Sequence, residues 1–267
     1  MNINGRLALI TGASSGVGAA AAKAIARRGG RVLLVARTQS ALEQVAAEIA
    51  AAGGEAHVYP ADVSERSDVD RLAQTIKDQA GTPDILINNA GAGRWLFVDE
   101  TDPAEAAQMI AVPYLAAFYV TRAFLPEMLR RNSGQIVNMT SPAAYMPWPG
   151  ASAYTAARWA MRGFNAALRA DLYGTGVGVT LVSPGRVDTA YFANNPGSAE
   201  RIPTIARLYR TLTPEQVGAA IVRAVEREQH EVIVPFTLRL TIMLHNILPG
   251  PIDWMLARTG WKRSQQL

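Results

Sequence analysis

Residues 7–18 constrain this chain more than any other stretch. An apolar run, Leu7-Ala8-Leu9-Ile10, passes into Thr11-Gly12-Ala13-Ser14-Ser15-Gly16-Val17-Gly18 and then into an alanine-rich segment that nothing interrupts before Gly29-Gly30. The pattern predicts a short buried strand, a tight turn and a helix. Each glycine has a mechanical reason. Gly12 permits a turn conformation closed to residues with a Cβ, Gly16 lets backbone approach a phosphate, and Gly18 lets the helix lie close on its strand. The first N–H groups of such a helix have no intrahelical partner and face an anion, most simply the pyrophosphate of a dinucleotide. Ser14, Ser15 and Val17 share the turn and join the three glycines as candidate cofactor contacts. A plain structural turn would also use such a cluster, so the following segments carry the decision.

They continue the alternation. Arg31 to Ala36 is a second apolar strand, and Ser40 is expected to cap a helix through Ala52 that stops at Gly53-Gly54. Strand, helix, strand, helix with right-handed crossovers implies a doubly wound parallel sheet. The residue at the end of the second strand bears on cofactor choice: a carboxylate there would bind a ribose 2′-hydroxyl, whereas this chain has Arg37. A guanidinium suits a 2′-phosphate, which favours NADP(H), although an exposed loop charge is the bland alternative. Asp62-Val63 follows the third strand, Ala56 to Pro60, where a carboxylate could accept from an adenine amino group.

A fourth strand, Ile85-Leu86-Ile87, ends in Asn88-Asn89-Ala90-Gly91. Together with Thr11-Gly-x-x-x-Gly-x-Gly18, this segment resembles the short-chain dehydrogenase/reductase superfamily, in register from Gly5 to about Thr189. The resemblance implies a single Rossmann-type α/β domain over residues 1–267, with a seven-stranded parallel sheet flanked by helices and an apolar C-terminal extension. It also implies that Asn89, Ala90 and Gly91 pass beside the cofactor. A long helix capped by Thr101 or Asp102 follows, with Pro103 in its first turn and Pro113 deep inside, so a kink is expected near Met109 to Pro113. Family members usually carry asparagine at that position, holding a water of a proton relay; here the amide is lost.

Thirteen positions after Ser141 comes Tyr154-Thr-Ala-Ala-Arg158, which resembles the family's serine-to-tyrosine interval and its Tyr-x-x-x-Lys, with arginine replacing lysine. Helix positions four apart share a face, so Tyr154 and Arg158 can address one bound molecule. Reduction of a ketone needs a positioned acid, and a phenol with a pKa near ~10 needs a neighbouring cation to serve at neutral pH. By resemblance, Tyr154 is that acid or base, Ser141 binds the substrate oxygen, and Arg158 stands where the family's lysine touches the nicotinamide ribose. Pro184, Gly185, Val187 and Thr189 resemble the segment beside the carboxamide. These implications give an NADP(H)-dependent oxidoreductase interconverting a carbonyl and an alcohol, its catalysis weakened by Pro113 and Arg158. The alternative is an inactive cofactor-binding relative acting as a sensor or assembly subunit.

The rest of the chain narrows the surroundings. With no cysteine and three scattered histidines, thiolate chemistry is excluded and no metal site is expected. The net charge of +4 is spread along the chain, so no nucleic-acid partner is expected. The first strand starts within a few residues of Met1, which leads to a cytoplasmic expectation. Residues 190–212 form a long apolar loop that either closes over a substrate or packs on its own protein. With Trp95, Met146 and Trp148 it suggests a bulky lipophilic carbonyl or alcohol as the small-molecule substrate. Residues 235–267 fall short of the ~20 apolar residues that span a bilayer. They are expected to pack on the substrate mouth or a partner subunit, with membrane-surface contact the less favoured option. Family resemblance suggests a homodimer or homotetramer paired through the long helices beginning near Asp102 and Ser152.

Overall fold

The computed structural model describes residues 1–263, which form one seven-stranded, wholly parallel sheet with helices on both faces. The strands are β1 (Leu7–Thr11), β2 (Arg31–Ala36), β3 (Glu55–Pro60), β4 (Ile85–Asn88), β5 (Gly134–Met139), β6 (Val177–Pro184) and β7 (Glu231–Val234). The strongly apolar strands are covered on both sides, as parallel sheets require. Ala8 and Ile10 of β1 enter one core layer and Leu7 and Leu9 the other, because successive strand side chains point in opposite directions.

On the first face lie α1 (Gly16–Ala26), α2 (Gln39–Ala51) and α8 (Pro214–Glu226). The other face carries α3 (Arg66–Gln79), α5 (Ala116–Arg130) and α6 (Ser152–Asp171). On α3 the residues at helical spacing, Val69, Leu72, Ala73 and Ile76, are buried. Helix α2 begins two residues earlier than expected, so Ser40 lies inside its first turn and Thr38 occupies the cap position. Thr213 caps α8 through a reciprocal pair of bonds with Gln216, 3.3 and 3.1 Å long.

The long helix contains a π turn where the distortion around Pro113 was expected. Asp102 caps α4 (Pro103–Ile110), its carboxylate accepting from the Ala104 N–H at 2.8 Å. A π turn over Ala111–Leu115 then leads without a break into α5. Pro113 supplies no N–H for a regular helical bond, and the ladder widens around it. By length and composition Pro103–Arg130 could cross a bilayer, but Val120, Phe124 and Met128 bury one face of it in the sheet core.

Strand order is β3-β2-β1-β4-β5-β6-β7, so succession reverses between β1 and β4. In open α/β sheets ligands bind above the carboxyl ends of the strands at that reversal. Here those ends are the glycine turn and Asn88–Gly91. Behind them a buried amide chain stiffens the sheet: Asn88 Nδ2 donates to Asn138 Oδ1 at 2.8 Å, and Asn138 Nδ2 donates to Asn165 Oδ1 at 3.0 Å. The C-terminal extension forms α9 (Phe236–Ile247) and α10 (Pro249–Thr259). Its end from 264 onward lies outside the described residues.

Candidate active site

A cavity of about 600 Å³ opens above β1 and β4. Gly12 and Gly16 both have positive φ, +66° and +54°, a conformation costly for any residue with a Cβ. The Thr11 hydroxyl accepts from the N–H groups of Asn89 and Ala90, both at 3.0 Å, and the Asn89 amide donates to the Thr11 carbonyl at 3.0 Å. The glycine turn and the asparagine motif are therefore one hydrogen-bonded unit. Ser15, at the cap of α1, makes no side-chain cap, which leaves the first helical amides available to an anion.

The wall at this end comprises Gly12, Ser14, Ser15, Gly16, Val17, Arg37, Asp62, Val63, Asn89, Ala90 and Gly91, with Pro184, Gly185, Val187 and Thr189 closing the far side. Gly18 is absent from that wall. A Cβ there would lie 2.1 Å from the Gly12 carbonyl oxygen, so its part is to let α1 pack on the turn, and its place among the cofactor contacts is corrected accordingly. The Arg37 side chain is 77% exposed, with Nη1 4.0 Å from Asp62 Oδ2. Asp62 also accepts from the Ser64 N–H and hydroxyl, at 3.0 and 2.7 Å.

At the other end stand Ser141, Tyr154 and Arg158, all lining the same cavity. Ser141 begins a short 3-10 turn after β5, its hydroxyl oxygen accepting from the Ala143 N–H at 3.2 Å. Tyr154 and Arg158 occupy one face of α6, and both are buried. The guanidinium carbon lies 4.7 Å from the centre of the phenol ring, so the cation stacks on its neighbour as well as facing the cavity. Gly91 provides the room, since a Cβ there would be 3.1 Å from the guanidinium. Among the described residues Arg158 has no ion-pair partner, and its buried Nε has no hydrogen-bond acceptor. Pro113 is buried and presents no polar group; from the π turn, Val112 reaches the cavity.

The 190–212 segment folds over this end through α7 (Tyr191–Asn194) and a 3-10 turn at Thr204–Leu208. The Tyr191 hydroxyl donates to the Gly93 carbonyl at 2.5 Å, and the Trp95 N–H donates to Ser198 Oγ at 3.0 Å. Trp95 meets Trp148, Tyr154 and Phe192 with ring centres 5.3, 5.6 and 6.4 Å away. Burial, then the adjacent Tyr154, push the Tyr191 hydroxyl above the usual phenol range, with the Arg158 charge acting the other way. Tyr191 is therefore a neutral donor at any physiological pH.

Trp95 and Trp148 line the cavity as expected, but Met146 does not. The turn after Ser141 directs it into a separate cluster with Leu238, Ile242, Ile252 and Leu256. Tyr191 was legible in the sequence only as one apolar residue of a loop. Leu238, from the extension expected to pack on the substrate mouth, reaches the wall because α9 folds back beside Tyr209, whose hydroxyl donates to Thr241 at 2.8 Å. Among the described residues no three His, Asp or Glu side chains gather to hold a metal.

Comparison with known proteins agrees with this geometry. The short chain dehydrogenase family model matches residues 6–198. Ketoacyl reductase HetN of Nostoc sp. is 36% identical over 258 residues, covering 94% of this chain and 88% of that protein. A short chain dehydrogenase/reductase from Burkholderia phymatum, solved in complex with NAD, superposes with a TM-score of 0.83 at 26% identity and covers 99% of both chains. A metagenomic short-chain oxidoreductase solved in complex with NADP gives a TM-score of 0.73 at 32% identity, covering 88% of this chain and 98% of its own.

Proposed function

This chain belongs to the short-chain dehydrogenase family, and from that premise we propose that it is an NADP(H)-dependent oxidoreductase interconverting a lipophilic carbonyl compound and its alcohol. The observation that carries the reading is one cavity holding both a glycine cradle with uncapped helix amides and, opposite it, a phenol, a hydroxyl and a buried cation.

The residues present fit a nicotinamide dinucleotide. Gly12, Ser14, Ser15, Gly16 and Val17 would take its phosphates, Asn89 to Gly91 and Arg158 its nicotinamide ribose, and Pro184 to Thr189 its carboxamide. When bound, the nicotinamide supplies hydride to the carbonyl carbon. Tyr154 gives its phenolic proton to the carbonyl oxygen, to which the Ser141 hydroxyl also donates. The Arg158 guanidinium favours the phenolate that results, and water returns the proton. Tyr191 anchors the lid at Gly93 and holds its hydroxyl beside Tyr154. Solved relatives hold NAD in one case and NADP in the other. The exposed Arg37 at the nucleotide end supports NADP, because it can pair with a 2′-phosphate at little desolvation cost.

For the substrate, the walls of Trp95, Trp148, Phe192, Ile202 and Leu238 support an apolar group beside the carbonyl. A relative named as a ketoacyl reductase supports an acyl chain in that place. Phe118 on α5 and Trp159 on α6, both exposed, support pairing of two copies through these helices. The binding-only reading draws on Pro113, which leaves the π turn without a polar side chain.

Oxidation of NADPH and NADH across a panel of ketones and 3-ketoacyl thioesters tests the proposal. Wild type is expected to turn over apolar members with NADPH preferred. Tyr154→Phe should lower kcat by about 10²–10⁴-fold while leaving NADPH binding intact. Tight NADPH binding without turnover of any member by wild type would establish the binding-only reading instead.

A further inference from the structure

Helix α9 is apolar on two opposite sides. Leu238 and Ile242 enter the cluster that also holds Ile252 and Leu256 of α10. At helical spacing on the other side, Phe236, Leu240, Met243, Leu244 and Ile247 form a continuous stripe, with Phe236 65% and Ile247 74% exposed. A helix hydrophobic all round belongs in an apolar environment, and here one side has none. Because α10 turns Ile252 and Leu256 into the same cluster, its opposite face, with Trp254 63% exposed, also points away from the body. At 12 residues α9 is about 18 Å long, too short to cross a bilayer.

Charge selects the occupant. Residues 235–263 hold Arg239, Arg258, Lys262 and Arg263 against one acid, Asp253, which is engaged by His245 at 2.9 Å. Arg263 is paired with Asp99, but Arg239, Arg258 and Lys262 make no ion pair among the described residues, and Arg258 stacks on Trp254 at 5.3 Å. A second copy seated on this face would bring like charges together. An anionic lipid surface would meet both the apolar stripe and its cationic border, with tryptophan at the depth it favours.

We propose that the outward faces of α9 and α10 dock on an anionic bilayer, with the helices lying in its surface. The inner side of α9 contributes Leu238 to the cavity, so docking would place lipid on the far side of a helix that forms part of the cavity wall.

Sedimentation with vesicles of phosphatidylcholine and phosphatidylglycerol, 3:1, tests it on the full chain. Wild type should bind these at least tenfold better than pure phosphatidylcholine vesicles, with the preference fading at high salt. Leu240→Glu combined with Leu244→Glu should abolish binding while light scattering shows the same oligomer as wild type. Arg239→Glu with Arg258→Glu, which keeps the apolar stripe, should weaken binding by tenfold or more and covers the case of a poorly folded first variant. Failure of wild type to bind anionic vesicles overturns the proposal, as does equal binding to neutral ones. So does a variant that changes oligomer size and leaves vesicle binding unchanged, which would give the face to a second copy.

Discussion

The two ends of the cavity are built differently. At the nucleotide end, the wall comes from strand ends and the turns directly after them, and the Thr11 hydroxyl, accepting from the Asn89 and Ala90 N–H groups, locks two of those turns together. At the substrate end, the wall comes from side chains far apart in sequence: Trp95, Trp148, Tyr154, Tyr191 and Leu238. Few bonds hold it, chiefly those of Tyr191 to Gly93 and Trp95 to Ser198. The first end has one allowed geometry, and the second has a shape set by how loops and the extension settle on one another. A fold that keeps the former and varies the latter can keep a cofactor while changing substrate.

The contrast can be broken most severely at Gly18. A Cβ there meets backbone, which has little room to yield, so Gly18→Ala should cost about 1–3 kcal/mol of stability and weaken NADPH binding. Thermal melts with and without NADPH check it. Tyr191→Phe sharpens the comparison from the other side. Losing one anchoring hydrogen bond should lower kcat/KM by about five- to tenfold and leave both melting temperature and NADPH affinity near wild type. An equal loss of cofactor affinity would mean that the two ends are not separable.

The smallest effect concerns the loop joining them. Arg94 Nε and Nη2 donate to the two Glu105 carboxylate oxygens, each at 2.7 Å, tying residues 91–97 to α4. That hydrogen bonding, with the Arg94 charge, holds the Glu105 carboxyl below its ordinary range. A depressed carboxyl contributes stability that is present above its unfolded pKa, ~4.3, and is lost as pH falls through the native value. Glu105→Gln should therefore be less stable than wild type by under ~1 kcal/mol at pH 7. The two melting curves should converge as the pH drops below about 4.

Much of this molecule was legible because the information is local. Leu7-Ala8-Leu9-Ile10 and the glycines after it specify strand, turn and helix within a dozen residues, and β2 falls on the residues expected from its apolar run. Ser141, Tyr154 and Arg158 could be named in advance because their spacing resembles the family's serine, tyrosine and lysine, and helical periodicity puts the last two on one face. Local pattern failed where the outcome depended on a neighbour. Met146 left the cavity for the cluster beneath α9, and the distortion expected around Pro113 took the form of a π turn.

By itself, then, the sequence determined the alternation of strands and helices, the parallel sheet and the nucleotide end, since hydrophobic period and glycine conformation are properties of short segments. Tertiary structure decided that Tyr191 would sit against Tyr154, that Leu238 would reach the cavity, and that α9 would turn a second apolar side outward. These are contacts between residues tens of positions apart, fixed by how whole elements pack, and a linear pattern carries no record of which of two apolar faces finds a partner.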